Sequence, residues 1–598
     1  MQSTLRDRIL ALTEAREITR VEQIQPLWNN YGSLSRLHLR AASRPSVILK
    51  QIKLPVESTH PRGFTSALSR QRKIRSYQVE SCWYREQNRR VDERAPTPEC
   101  IGIFDEGGEL CILLEDLRAR GYTRSLRVAS WDEITLVLSW LAHFHAQMLG
   151  VSPAGLWPQG TYWHLSTRPE ELAKIQGTRL SHFASLIDAR LRCGAFPTLV
   201  HGDAKLANFC FRADRSGVAA VDFQYVGRGC AMSDLAYFIG SCLGTSECQR
   251  LEPVVLDFYF SELAEALPTA VDAAALERAW RALYPVAWAD FHRFMLGWNP
   301  QHQKLTSYSE EITERALRQI SEELLSAAKA ASLAAGQFIR AHQRQPLEIA
   351  SKGFTSPAAD VVTEIDLRAQ EIIFEQLRPT IERYDLGWLA EEGAQDESRL
   401  TKHAFWAVDP LDGTQSFIEG TDGYATSIAL VSRSGQPILG VVYVPASQQL
   451  FQATAGGGVR LNDAPLPALK ERGSGVMKWF ADQSLKRHPR FSTYQRTFEI
   501  RFMGGAVVNL LQLLVEPNSC YCKAPKAALG GCAIWDLAAV ALMLQERGGE
   551  MSFYDGSLLD LNRPESIFFN DVGLAFASPD LTLQALRERI DAPAQGTP

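Results

Sequence analysis

Short apolar runs separated by polar stretches open the chain. Ser46-Val47-Ile48-Leu49-Lys50 and Leu110-Cys111-Ile112-Leu113-Leu114 are apolar and partly β-branched, which predicts strands. A charged stretch between them, about Leu68 to Arg90, predicts a helix. From Trp131 the period changes, with Leu138, Leu141, Phe144, His145 and Met148 recurring near helical spacing. Two short strands are predicted around a loop from His201 to Asn208, then helices from Leu235 to about Ile320. A small strand-rich lobe (about 1–117) and a helical lobe (about 118–319) therefore make a bilobal first domain, 1–319. Helical patterning continues through 309–345 into the Ala-rich stretch Leu325 to Arg340, and the boundary with a second domain, 320–598, is placed inside it. No Pro/Gly-rich linker separates the two. Beyond residue 350 the order is helix, strand, then successive strands. Ala425 to Val431 and Ile438 to Val444 read as neighbours joined by the turn residues of Ser432-Arg433-Ser434-Gly435-Gln436-Pro437.

Composition narrows the class without naming the chemistry. At 598 residues the chain is too long for one ordinary core, and 45% hydrophobic with 22% charged residues is usual for a globular protein. The formal net charge of -5 gives no electrostatic case for a nucleic acid polymer, although a local site can still be basic. No run of about 18 apolar residues predicts a membrane span. The opening MQSTLRDRILALTEAREITR is too charged for a secretory signal. Eleven cysteines without a CxxC pair are expected as free thiols, which favours a cytoplasmic location.

The first half carries Leu199-Val200-His201-Gly202-Asp203-Ala204-Lys205-Leu206-Ala207-Asn208, followed by Ala220-Val221-Asp222-Phe223-Gln224. Phosphoryl transfer from ATP needs an acid beside the acceptor hydroxyl and oxygen ligands for magnesium. Asp203 can be that acid, and Asn208, at the far end of a short loop, and Asp222, at a strand end, can hold the metal. His201 is expected to hold the loop by hydrogen bonds, and His143 and His145 to pack on a helix.

These motifs, HGDxKxxN and DFQ, resemble the choline kinase, aminoglycoside phosphotransferase and ecdysteroid-kinase-like group over roughly residues 20 to 310. The resemblance implies a protein-kinase-like fold with ATP as phosphoryl donor and a small-molecule alcohol as acceptor. It implies that Lys50 holds ATP phosphates, with Glu80 as its ion-pair partner. Leu114-Glu115-Asp116-Leu117 would line the adenine pocket, and Asn30-Tyr31-Gly32-Ser33-Leu34-Ser35, with one glycine, would cover the phosphates.

The second half contains Trp406-Ala407-Val408-Asp409-Pro410-Leu411-Asp412-Gly413-Thr414, with Glu391-Glu392-Gly393 before it and Ile534-Trp535-Asp536 after it. Hydrolysis of a phosphate monoester near neutral pH calls for metal-activated water and neutralised charge on the departing oxygen. Asp409 and Asp412 leave one strand end and can face a common site, which Glu391 and Asp536 can complete. Gly413 and Thr414 would start a helix whose amides hold a phosphate.

The set of DPLDGT, EEG and WD resembles the inositol monophosphatase superfamily over roughly residues 320 to 575, which implies a layered α/β sugar-phosphatase-type fold. The family pattern assigns Glu391, Asp409 and the carbonyl of Leu411 to one magnesium, and Asp409, Asp412 and Asp536 to another. Thr414, paired with Asp366, would help activate the attacking water. Ser427-Ile428-Ala429-Leu430 and the Pro437 to Pro445 segment resemble the 3'(2'),5'-bisphosphate nucleotidase branch. Gln415-Ser416 and Gly504-Gly505-Ala506-Val507-Val508-Asn509 depart from it. Phosphatases of this superfamily are commonly dimers, which makes a homodimer through the second half an expectation. The whole reads as a multidomain α/β protein joining a magnesium-dependent phosphatase to an ATP-dependent phosphotransferase. The alternative is a phosphatase carrying a catalytically weak kinase-like nucleotide-binding or regulatory module.

Overall fold

In the computed structural model the described residues are 3–27, 31–53, 67–343, 349–351, 361–393, 397–469, 475–528 and 530–591. Packing divides the chain into two compact units: residues 1–176 with 190–316, and residues 177–189 with 317–598.

The first unit begins with a five-stranded antiparallel sheet in the spatial order Glu17–Pro26, Gly32–Arg40, Ser46–Ile52, Glu109–Glu115, Cys100–Glu106. Strand periodicity divides its side chains between two faces. Val47 and Leu49 enter a core with Leu5 and Ile9 of helix Ser3–Thr13. Ile48 and Lys50, one position out of phase, line a cavity on the opposite face. The charged stretch after this strand forms helix Ala67–Cys82, shorter than its sequence suggests, because the chain widens into a π turn at Trp83–Gln87 and then tightens into a 3-10 turn at Asn88–Arg90.

Helix Trp131–Gln147 opens on a capping box in which Ser130 and Glu133 satisfy each other's backbone amides. The helical stretch expected from Leu235 to Ile320 is divided into Ala231–Cys242, Thr245–Ala266, Ala273–Arg281 and Tyr284–Trp298 before the long helix Ser307–His342 begins. Starts are marked by Asp272, whose side chain caps Ala275 N, and by Pro285 in the first turn of the fourth helix. Strands Thr198–Val200 and Phe209–Arg212 flank the loop at residues 201–208.

In the second unit a seven-stranded sheet has the order Gly387–Ala390, Ala404–Asp412, Ala425–Ser432, Pro437–Val444, Gln449–Thr454, Val459–Leu461, Ala464–Pro465. Only its first pair is parallel. The central strands are buried along their length, so they read as continuous apolar runs without alternation. The apolar helix Ile534–Glu546 packs into the same core, and a five-stranded sheet built around Ser519–Lys523 completes the unit. This is an α/β arrangement. Among the described residues no helix is long and apolar enough to cross a membrane.

Candidate active sites

In the first unit the Lys50 ammonium lies 2.7 Å from both Glu80 oxygens and 3.3 Å from Asp222 Oδ1. Lys53, by contrast, is exposed and pairs with Glu109. Burial alone would lower the Lys50 pKa, but the carboxylates of Glu80 and Asp222 outweigh it and hold the ammonium above its ordinary value. Asp222 has a left-handed backbone, φ 71°, a strain carried by few residues without a functional or packing reason. Burial pushes its pKa up, but Lys50, Lys205 and Lys73 prevail and hold it at about 2.

Asp203 Oδ2 accepts from Lys205 Nζ at 2.8 Å and Asn208 Nδ2 at 3.0 Å. Asn208 Nδ2 also donates to the Asp203 carbonyl, which leaves the amide oxygen as the donor atom Asn208 offers a cation. The loop holding Asp203 is clasped from behind. Asp234, fully buried, accepts from His201 N at 2.6 Å and Gly202 N at 2.9 Å, and lies 3.1 Å from His145 Nε2. His201 Nε2 donates to the Val221 carbonyl. Gly202 has φ 78°, and a Cβ there would lie 2.1 Å from the Tyr225 carbonyl oxygen. Asp234 escapes motif reading. Its one sequence signal is a lone carboxylate in the apolar helix Ala231–Cys242.

These groups line a cavity of about 1020 Å³. Leu114, Glu115, Asp116 and Leu117 line it too, but the Glu115 carboxylate turns to Glu99 N and Arg120, and that of Asp116 to Arg36 and Ser46. Of the expected phosphate-covering loop, Asn30 lies outside the described residues. Gly32 opens a strand at φ 131°, where a Cβ would lie 1.9 Å from the Gln51 carbonyl oxygen.

In the second unit Asp409 and Asp412 are three positions apart on strand Ala404–Asp412, a spacing that would send them to opposite faces of a regular strand. The pairing register slips between them: Asp409 faces Ser427 and Asp412 faces Ala425. That bulge at Pro410-Leu411 brings both carboxylates to one side. Asp536, in the first turn of helix Ile534–Glu546, joins them, and one oxygen of each of the three lies within 4.8 Å of the others. Each is held by a backbone amide: Asp409 by Leu411 N, Asp536 by Ala533 N at 2.7 Å, and Asp412 by Ala506 N at 3.0 Å and Val507 N at 2.9 Å.

Burial, and next the charge of Glu391, raise the Asp409 pKa well above the carboxylate range. The same two causes, in the same order, push Asp536 up to about 7. Glu391 is therefore the acid of that pair whose charge bears on all three carboxylates. The Glu392 backbone is held by Gln370. Thr414 Oγ1 lies 3.1 Å from Asp366 Oδ1 and 3.1 Å from the Leu411 carbonyl oxygen. Gly413, which precedes the short helix Thr414–Ile418, has φ 86°, and a Cβ there would meet the Gly423 carbonyl oxygen at 2.4 Å. Oxygen-only donors crowded with like charge suit a hard divalent cation such as magnesium.

Two groups lie beyond motif reading. Lys523, from strand Ser519–Lys523, brings positive charge that lowers the Asp536 pKa, and it is paired with Asp482. Gly505 has an ordinary φ of -62°, yet a Cβ there would sit 2.2 Å from Asp412 Oδ2. Space, not conformation, demands glycine. Gly505→Ala is expected to displace the Asp412 carboxylate and cut magnesium affinity or phosphate release by about 10–100-fold, the usual cost of losing a group that orients a metal ligand. Magnesium-dependent phosphate release measures it. Wild-type affinity and rate in that variant would contradict the crowding.

Comparison with known proteins assigns relatives to these geometries. The inositol monophosphatase family model matches residues 320–589. The ecdysteroid kinase-like family model matches residues 76–151 and 159–270. An inositol-1-monophosphatase of Mesorhizobium japonicum is 30% identical over 236 residues, 38% of this chain and 84% of that protein. One from Synechocystis sp. is 32% identical over 246 residues, 40% of this chain and 81% of that protein. Among solved structures, the extragenic suppressor protein suhB from Bartonella henselae matches at 25% identity with a TM-score of 0.37, covering 45% of this chain and 100% of that one.

Proposed function

The chain belongs, through residues 320–589, to the inositol monophosphatase family of magnesium-dependent phosphatases, and from that premise we propose that residues 320–598 hydrolyse the monoester of a small phosphorylated alcohol: an inositol phosphate, a nucleotide 3'-phosphate or a sugar phosphate. The observation that carries this reading is the convergence of buried Asp409, Asp412 and Asp536. With Glu391 and the Leu411 carbonyl they would hold magnesium. When bound, the cation neutralises phosphate charge and makes water more acidic. Thr414, hydrogen-bonded to Asp366, orients the attacking water and passes its proton toward that carboxylate. The water oxygen bonds to phosphorus as the ester P–O bond breaks, and the departing alcohol oxygen takes up a proton. Gly413 and Thr414 present backbone amides to the phosphate.

For residues 1–319 we propose ATP-dependent phosphorylation of a small-molecule hydroxyl, supported by the Lys50–Glu80–Asp222 set and the Asp203 loop. Lys50 holds the phosphates, Asn208 and Asp222 would hold magnesium, and the backbone around Glu115 borders the base. Asp203 orients the acceptor hydroxyl and takes its proton. The hydroxyl oxygen bonds to the γ-phosphorus while the bond to the bridging oxygen of the departing ADP breaks. Joining the two activities raises the local concentration of one site's product near the other. Different positions on the acceptor would avoid a futile cycle. The second reading, nucleotide binding without transfer, is favoured by one observation: Gly32, the one glycine of the expected phosphate loop, is taken up by its approach to Gln51.

The phosphatase reading is tested by a panel of phosphate esters with and without magnesium. Chelation is expected to abolish phosphate release and lower the thermal midpoint. Magnesium at about 100 times its Kd adds ~2.7 kcal/mol to stability. The pH dependence has a definite sign. Asp536 at about 7 binds its proton more tightly when folded than unfolded. The cation-free protein therefore loses stability as pH rises from about 4 to about 7, and magnesium restores it with release of protons. Ester hydrolysis undiminished by chelation would overturn the reading.

A further inference from the structure

Resting on the phosphotransferase reading of residues 1–319, we propose that the acceptor of that site is an anionic alcohol, a hydroxylated compound carrying a phosphate or carboxylate of its own, bound by Arg72 and Arg168.

The argument begins with the two ends of the cavity. Its volume of about 1020 Å³ lies at the large end for small-molecule sites, enough for a nucleotide and a second ligand together. Leu114 to Leu117 and Lys50 mark the nucleotide end. An acceptor hydroxyl must meet Asp203, so the acceptor occupies the wall beyond it. That wall is aromatic: the Tyr162 and Tyr237 hydroxyls lie 3.2 Å apart, and the Tyr162 ring packs edge-on against Phe294 at 5.5 Å. Both tyrosines border Asp203, whose charge, after burial, raises their pKa values.

The charges on this side are unbalanced. Four cations line the cavity around and beyond Asp203: Arg72, Lys73, Arg168 and Lys205. Two lie beside the carboxylates of Asp203 and Asp222. Lys205 pairs with Asp203, and Lys73 donates to Gln224, which itself donates to Asp222. The other two lie farther out. Arg72 donates to the Thr167 carbonyl at 2.7 Å and to Ser69, and among the described residues it forms no ion pair. Arg168 donates to the Tyr162 carbonyl and lies over the Phe294 ring at 5.0 Å, with Glu171 offsetting part of its charge. The two guanidiniums repel: burial, and then Arg168, lower the Arg72 pKa to about 10, and Tyr225, Glu171 and Glu170 offset only part of that. Asp203 and Asp222 line the cavity beside the two lysines, whereas Glu170 and Glu171, near the two arginines, do not line it.

A cationic acceptor would add to that repulsion, and a neutral one would leave it standing. A carboxylate or phosphate relieves it and matches the planar guanidinium fork, while the aromatic wall takes the carbon skeleton. Selection by like-charge rejection of the wrong ligand is as strong a device as attraction of the right one.

The test uses the full chain carrying Asp412→Asn, so that phosphorylated acceptors are not consumed, with magnesium and ATP. Four acceptor sets are compared: neutral polyols, amino alcohols, hydroxy acids and phosphorylated alcohols. The anionic sets are expected to show kcat/KM about 100-fold above neutral analogues. Arg72→Glu is expected to raise the anionic acceptor's KM about 100-fold, more than it alters the KM for ATP, with Arg72→Lys recovering part of the loss. The hydroxy acid and phosphorylated arms decide which anion is preferred. Asp203-dependent transfer to neutral or cationic acceptors at equal or greater kcat/KM overturns this inference alone. ATP binding without transfer to any set overturns the phosphotransferase reading in favour of the binding module, and this inference with it. Failure to bind ATP at all overturns the phosphotransferase reading together with it.

Discussion

Asn in place of Asp412 is expected to stop phosphate release, lowering it by about 10³-fold or more, while the phosphoryl transfer proposed for residues 1–319 continues. The size follows from what the carboxylate does. Its two oxygens accept from Ala506 N and Val507 N, and it faces Asp409 and Asp536. Asparagine keeps the shape but removes the negative charge. Its amide can accept only one of the two backbone bonds and turns N–H groups toward a cation or toward those amides. Loss of about 4 kcal/mol of charge stabilisation corresponds to about 10³ in rate. Folding is expected to change in the opposite sense. Burial, and next Asp536, press the Asp412 carboxyl toward its protonated form, so removing its charge relieves the cation-free protein. The variant should therefore melt no lower than wild type without magnesium and gain less from adding it. Phosphate release within tenfold of wild type, with normal magnesium stabilisation, would remove Asp412 from the site.

What a single sequence displays here, and what it hides, follows from the range of each interaction. Strands at Val47–Leu49 and Leu110–Leu114 are legible because their apolar character is local. Carboxylates at 409, 412 and 536 are legible because their neighbours form recognisable strings. The register slip at Pro410-Leu411 is not, since it exists only through pairing with Ser427 and Ala425. Gly505 looks like a departure in sequence, and its meaning appears only when Asp412, far away along the chain, arrives at its Cα. Asp234 reads as a single carboxylate in an apolar helix until the amides of His201 and Gly202 reach it. Arg72 and Arg168 carry no motif, and each alone reads as a surface arginine. Local chemistry is thus visible early, and the groups that position it become visible when distant segments meet.

Asp203→Asn is the complementary variant, expected to reduce ATP-dependent transfer by about 10²–10⁴-fold, the range for a positioned acid–base group, and to spare phosphate release. The substitution is nearly isosteric, so the loop should persist. Asp234 holds His201 and Gly202 whatever residue 203 carries, and the bond from Asn208 Nδ2 to the carbonyl of residue 203 does not involve the side chain. What is lost is the negative oxygen that Lys205 and Asn208 now hold, and with it a proton acceptor for the alcohol. On the proposed reading ATP affinity would rest on Lys50, Glu80 and Asp222, none of which hydrogen-bonds residue 203, so nucleotide binding by calorimetry is expected to be retained. That separation decides between the two readings of residues 1–319. A binding module without turnover gives the same calorimetric result for wild type and variant, with no transfer in either. A phosphotransferase gives equal binding and a collapse of transfer in the variant alone. The ammonium held between Glu80 and Asp222 serves nucleotide binding in either case, so the transfer assay, and not the binding assay, separates the two.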